Sequence, residues 1–252
     1  MRVALSQIKV ETNQYQKNLA KIIEYIGLAS QGKADLVVFP ECSDHGWLTA
    51  LNPDEAHDKF EYTVAEISAL AKKYEIYICI GLTDGCTGRL YNTAVLISPE
   101  GELLFRHNKI NLLDFERKVY SPGNKVSVLA RPIENTSILI CADNFPDSLY
   151  LGRSVGLMGA KLLLSPSSWA IEPGLTEDPD ESMWITSYTK LAKEYGITTI
   201  AVDNVGIMEN EPWNGFPCIG NSVVVGHDGK IIYRCSFGEK AEEIAFVDLA
   251  NL

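Results

Sequence analysis

Ala34-Asp35-Leu36-Val37-Val38-Phe39-Pro40-Glu41 is the stretch on which the fold turns. Asp35 to Phe39 is a nearly continuous apolar run, as expected for a strand covered on both faces in a parallel sheet. Glu41 stands just past it. Two further stretches repeat the pattern: Leu103-Leu104-Phe105-Arg106-His107-Asn108 runs into Lys109, and Ser137-Ile138-Leu139-Ile140 into Cys141. In open α/β architectures ligands bind outside the carboxyl ends of the strands, so these three side chains are expected to converge on one crevice. A thiol, a carboxylate and an ammonium in one crevice are a nucleophile, a general base and an oxyanion clamp. Taken singly, a cysteine after a buried strand is most often an inert core thiol, and a lone Glu or Lys a solvated one. Context has to decide.

Working outward, strands alternate with helices. Thr12 to Ser30 reads as a helix, with Leu19, Ile22, Ile23 and Ile26 at its 3.6 period and Gly32 near its end. A second helix is predicted over about Thr63 to Tyr74, then a strand over Ile76–Ile80. Tyr91–Ile97 and Leu103–His107 flank the turn Ser98-Pro99-Glu100-Gly101. Ile138–Cys141 reads as a buried strand, Ser148–Met158 as a helix, Lys161–Leu164 as a strand, Met183–Tyr195 as a helix and Thr198–Val202 as a strand. Val223–Val225 and Ile231–Tyr233 bracket Gly226-His227-Asp228-Gly229-Lys230, a final hairpin. Ile171 to Asp180 is polar and reads as a surface loop bordering a site. Its acids and their neighbour (Glu172, Glu177, Asp178, Asp180 and Glu181) would suit a cationic amide, although a charge run is more often a solvated face. With no linker and no repeat, residues 1–252 read as one α/β domain with mixed strand pairing.

Composition bounds the function classes. A hydrophobic content of 46% is that of a globular chain. The net charge of -11 argues against a protein that coats nucleic acid or anionic membrane. No apolar stretch is long enough to span a bilayer, and Met1 runs almost directly into Arg2-Val3-Ala4-Leu5-Ser6-Gln7-Ile8, which leaves no room for the apolar core of a signal peptide. Six scattered cysteines without a C-x-x-C pair read as free thiols of a reducing compartment. The expected location is cytoplasmic. His45, His57, His107 and His227 are too dispersed for a zinc site, and no phosphate-cradling glycine motif is present.

Acyl transfer from an amide needs a nucleophile, a proton shuttle and donors aimed at the developing oxyanion. Lys109 would lower the Cys141 thiol pKa and populate thiolate, and would offset the charge of the tetrahedral intermediate. Loss of such a donor costs about 10²–10³ in rate. The backbone N–H of Ala142 is the expected second donor. Glu41 would take the thiol proton, hand it to the departing amine and then activate water.

These contexts resemble the carbon–nitrogen hydrolase (nitrilase) superfamily, from Met1 to about Leu249. Ala34 to Glu41 resembles its first motif, which ends in the general-base glutamate. Asn108-Lys109-Ile110-Asn111-Leu112, then Glu116, then Tyr120-Ser121-Pro122-Gly123 resembles the second, which implies a catalytic Lys109 positioned by Glu116. Ile138-Leu139-Ile140-Cys141-Ala142-Asp143 with Phe145-Pro146-Asp147 resembles the third, with Cys141 as nucleophile. Gly159–Trp169, Ala201–Gly206 and Gly220–Gly229 resemble later core segments, with Trp169 implied in substrate binding beside Ala142. The resemblance implies an αββα four-layer sandwich, a homodimer or higher homo-oligomer, a small-molecule amide substrate, and no metal or organic cofactor. Three departures from the family's pattern stand out. Ala142 follows the cysteine where many amidases carry an aromatic residue, and the Cys141–Phe145 segment is one residue short, with Asn144 in the gap and no clear heir to the arginine those members carry before Phe-Pro. Ala142-Asp143 also fails to match the Trp-Glu of nitrilases proper, which favours linear carboxamides or N-carbamoyl amines over nitriles. The alternatives are a nitrilase and a noncatalytic binding protein on the same fold. Gly152-Arg153-Ser154-Val155-Gly156 matches the G-x-S-x-G elbow of serine hydrolases, with Asp203 and His227 following in order, but it lies in a helical pattern where the elbow demands a strand.

Overall fold

Leu36 and Val38 belong to one hydrophobic core, and Val37 and Phe39 to another. That alternation organises the molecule, because successive strand residues point to opposite faces. The computed structural model describes residues 1–131, 133–177 and 181–249. In chain order its elements are β1 (Arg2–Gln7), α1 (Tyr15–Gln31), β2 (Leu36–Val38), α2 (Pro53–Tyr74), β3 (Tyr77–Cys86), β4 (Arg89–Ile97), β5 (Leu103–Asn108), β6 (Thr136–Ile138), α3 (Leu149–Leu157), β7 (Leu162–Ser167), α4 (Glu181–Tyr195), β8 (Thr198–Asp203), β9 (Val205–Ile207), β10 (Pro217–Ile219), β11 (Val223–Val225), β12 (Ile231–Arg234) and β13 (Glu243–Asp248).

The strands form a six-stranded sheet in the order β13-β1-β2-β3-β4-β5, a five-stranded sheet in the order β12-β11-β8-β7-β6, and the small pair β10-β9. β1, β2 and β3 are parallel, as are β6, β7 and β8, and the outer strands are antiparallel. The central core joins the inner faces of both sheets: Val3, Leu5, Leu36 and Val38 from one, Ile138, Leu162, Leu164, Ile200, Val202 and Val224 from the other. The odd-phase residues face outward onto helices. Ala4, Val37 and Ile78 pack with Ile22 and Ile26 of α1 and Phe60 and Ile67 of α2, Leu163 packs with Val155 of α3 and Leu191 of α4, and Ala201, Val223 and Val225 pack with Trp184 and Tyr188 of α4. The result is the αββα four-layer sandwich. Each fully buried Leu, Ile or Val contributes about 1.5–3 kcal/mol, which is why strands buried on both faces hold so firmly.

Several expected boundaries move. α2 begins ten residues early, at Pro53, because Asn52 caps it by accepting from the N–H of Asp54 at 2.9 Å and of Glu55 at 3.3 Å. β6 stops at Ile138, so Cys141 is not in a strand but opens a 3₁₀ turn over Cys141–Asn144. The strands β9, β10 and β13 escaped the sequence pattern. Ser154 sits inside α3 with its hydroxyl donating to Tyr150 O at 2.8 Å, and His227 is exposed, so the elbow motif is a helix surface. Glu172 and Glu177 are exposed, whereas Asp178, Asp180 and the Glu181 side chain lie outside the described residues.

Candidate active site

The two sheets face each other so that the chain leaving β2 meets the end of β7, where the Glu41 N–H donates to Ser167 O at 3.2 Å. Gly81 on β3 makes the approach possible, since a Cβ there would stand 2.6 Å from the Glu41 Cα and 2.7 Å from Pro40 O. Glu41 is fully buried. Its Oε1 accepts from Lys109 Nζ at 2.8 Å and from Asn92 Nδ2. Its Oε2 has no hydrogen-bond partner among the described residues.

Lys109 follows β5 directly, and its N–H donates to Asn92 O at 2.8 Å. Gly123, from the Tyr120-Ser121-Pro122-Gly123 stretch, clamps the same loop by donating to Lys109 O at 2.8 Å, where a Cβ would collide with Asn108 O at 2.1 Å. The Lys109 ammonium also donates to Glu116 Oε1 at 2.7 Å and lies 5.7 Å from the Trp47 ring centroid. Glu116 is held in turn by Trp47 Nε1 at 2.7 Å and the Leu113 N–H at 2.8 Å. Two carboxylates and one ammonium thus share a site closed to solvent. Burial pushes the Glu41 carboxyl up, and the negative charge of Glu116 adds to it against the opposing pull of Lys109. Burial alone would push Lys109 down, but Glu116 and Glu41 outweigh it and hold the ammonium well above its ordinary value.

Cys141 sits at φ +42°, in the left-handed region that a non-glycine residue enters at a cost. Its S–H donates to Ser168 O at 3.7 Å. The expected depressed thiol pKa is not what this environment produces. Burial pushes the Cys141 thiol well up, Glu41 pushes it further, and Lys109 opposes them without reversing the sign. The ammonium is already engaged by two carboxylates, so the resting group is a thiol.

The turn after Cys141 is pinned from several sides. Ala142 is buried, and its carbonyl accepts from Asn111 Nδ2 at 2.7 Å and Ser148 Oγ at 2.6 Å. Asp143 accepts from the N–H groups of Ile110 at 2.9 Å and Asn111 at 2.7 Å and pairs with His107 Nε2 at 2.7 Å, which ties the lysine loop to the cysteine turn. Asn144 donates to Leu139 O at 3.1 Å and Ser165 Oγ at 3.0 Å and locks the turn onto β7. Trp169 follows β7, meets Phe145 edge to face at 5.5 Å, and has an indole N–H without a partner among the described residues. Cys141, Phe145, Ser167, Trp169, Trp184, Tyr188 and Asp203 line a small, partly open cavity of about 10 Å³. No group of three or more His, Cys, Asp or Glu among the described residues is arranged to hold a metal ion, and no described helix is long and apolar enough to cross a membrane.

The carbon-nitrogen hydrolase family model matches residues 2–252. Omega-amidase of Mus musculus is 29% identical over 184 residues, which cover 69% of this chain and 65% of that protein, so the match spans about two thirds of that relative's length. An (R)-stereoselective amidase of Pseudomonas sp. is 23% identical over 254 residues, covering 100% of this chain and 86% of that one. Among solved structures, a mutant of the amidase from Nesterenkonia sp. AN1, with acrylamide added at its active site cysteine, is 26% identical at a TM-score of 0.81, covering 99% of this chain and 93% of that one. With a family model matched along almost its whole length, the chain belongs to the carbon–nitrogen hydrolase family.

Proposed function

We propose that this protein hydrolyses a linear carboxamide or N-carbamoyl amine through a thioester on Cys141, releasing ammonia. The observation that carries the reading is the buried Glu41–Lys109–Glu116 chain beside a buried thiol, with Glu41 Oε2 left without a partner. Glu41 Oε2 takes the thiol proton as sulfur attacks the carbonyl carbon. The Lys109 ammonium and the Ala142 N–H meet the oxyanion, and the Trp169 indole N–H is a further donor to the substrate. Glu41 returns the proton to the nitrogen as the C–N bond breaks and ammonia leaves. It then takes a proton from water, whose oxygen attacks the thioester, and the thiol is regenerated with the acid. A glutamate pushed above its ordinary range suits a group that must both accept and donate near neutral pH. Glu116 positions Lys109.

In this reading residues 1–252 form one such domain, which works in the cytoplasm as a homodimer or higher homo-oligomer without metal or cofactor. Amides rank above nitriles because Ala142-Asp143 does not carry the Trp-Glu of nitrilases. Ammonia release over a panel of amides, carbamoyl amines and nitriles, run with wild type and Cys141→Ala, tests it. The expected result is turnover of amides or carbamoyl amines that is lost in the variant. Turnover confined to nitriles, or retained in the variant, would contradict it.

A further inference from the structure

The cavity at Cys141 has a wall that the hydrolytic chemistry does not call for. Thiol attack, proton transfer and oxyanion binding make no use of Asp203, Trp184 or Tyr188, yet all three line it. Asp203 is the last residue of β8, and its pairing with Ser167 sets it level with the end of β7. It is 5% exposed, and its negative charge reaches the sulfur, where it helps push the thiol up. Trp184 and Tyr188 stand four residues apart on α4 and meet at 6.2 Å between ring centroids, inclined by 63°. Phe145 and Trp169 form a second such pair.

Among the described residues that line the cavity, Asp203 is the acid and none is Lys, Arg or His. Aromatic faces carry negative electrostatic potential and attract cations, the more so where water is excluded. A substrate carboxylate would instead meet the Asp203 charge in a site of low dielectric. Cys141 and Asp203 line the same small cavity, so a substrate group bound at Asp203 sits close to the carbon under attack.

Resting on the amidase reading above, we propose that the substrate is an amide bearing an ammonium group one or two carbons from the scissile carbonyl, and that Asp203 with its aromatic neighbours is the specificity-determining subsite for that ammonium.

Two isosteric pairs test this: glycinamide against propanamide, and β-alaninamide against butanamide, with malonamate as the anionic probe. The assay runs at about pH 6.5, below the pKa of about 7.7–8.0 of an α-amino group. In wild type the cationic member of at least one pair is expected to show a kcat/KM roughly 10- to 100-fold above its neutral partner, the range of a hydrogen bond to a charged group, with malonamate poorest. Asp203→Asn should bring that ratio close to one. The ratio is read because a partly folded preparation scales both members of a pair alike. If the variant fails to fold, the wild-type ratios decide alone. Preference for the neutral or anionic amides, or a ratio unchanged in Asp203→Asn, overturns the assignment. Absence of ammonia from every amide would remove the amidase reading itself, and this subsite with it.

Discussion

Without the Lys109 ammonium, Glu41 and Glu116 would face each other in a site closed to solvent. Lys109→Ala is therefore expected to cost about 3–5 kcal/mol of stability at neutral pH, in addition to lowering the rate at every amide. The sign of the pH dependence follows. With the counter-charge gone, burial holds the Glu41 carboxyl still further above its unfolded-state value, so its contribution to stability is present at low pH and lost as pH rises. Urea midpoints should show the gap between variant and wild type widening from pH 5 to pH 8; a constant gap would contradict it. A second buried pair gives opposing slopes. Burial pushes Asp44 up to about 7 and His45 down to about 4. Asp44 stability is complete below its unfolded value near 3.8 and lost as pH rises through about 7, whereas His45 stability grows as pH rises from about 4 to 6.5. His45→Asn should thus lose stability relative to wild type across about pH 4 to 6.5, a trend that thermal melts at several pH values would detect or rule out. Reagent access should also separate the thiols: Cys86 is exposed and Cys141 buried, so mild alkylation is expected to label Cys86 first while activity falls only as Cys141 is labelled. At this scale Glu41, Lys109 and Cys141 are legible because each closes a recognisable run, whereas Glu116 follows only from the resemblance. Asn92, Trp47 and His107 are not legible, since their partners lie 51, 69 and 36 residues away. An Asn inside the apolar run of β4 was a signal available to be read, because strands disfavour it.

Among the elements, the turn that holds Cys141 departs furthest from its expected form. The apolar run Ile138–Ile140 invited extension of β6 through the cysteine, but the strand ends at Ile138 and the backbone turns left-handed at Cys141. A left-handed conformation costs an L-residue about 1–2 kcal/mol. Replacement by glycine relieves that cost, while replacement by alanine keeps it. Cys141→Gly should then be no less stable than Cys141→Ala, despite glycine's larger entropy loss on folding. Denaturant midpoints of the two inactive variants check this, and a clear deficit for the glycine form would argue against strain at this position. The double-faced strands β7 and β8, and β2 within the longer apolar run Leu36–Phe39, are legible from composition alone, since both of their faces are buried. The first ten residues of α2 are not, because they show little apolar periodicity, and Asn52-Pro53-Asp54-Glu55 is the start signal that marks them. Three-residue strands such as β9 and β10 carry too little pattern to stand out.

For the whole molecule, the four layers followed from family resemblance, whereas the alternation that builds them is visible only once the sheets are assembled. The helical layers leave apolar side chains exposed on and just after α3, with Tyr150 at 60%, Leu157 at 79% and Met158 at 53%. Such a surface on an outer layer fits the proposed homo-oligomer. Light scattering is expected to give a dimer or larger assembly that Leu157→Asp shifts toward monomer, and a wild-type monomer at micromolar concentration would count against it. The proposed chemistry runs through a covalent intermediate at one thiol. Intact-protein mass after rapid quenching with a turned-over amide measures it directly. The predicted result is a mass gain equal to the acyl group, mapped to Cys141, that accumulates in Glu41→Gln if deacylation slows more than acylation and is absent in Cys141→Ala. An acyl adduct on Ser154, or full turnover by Cys141→Ala, would contradict the thiol mechanism.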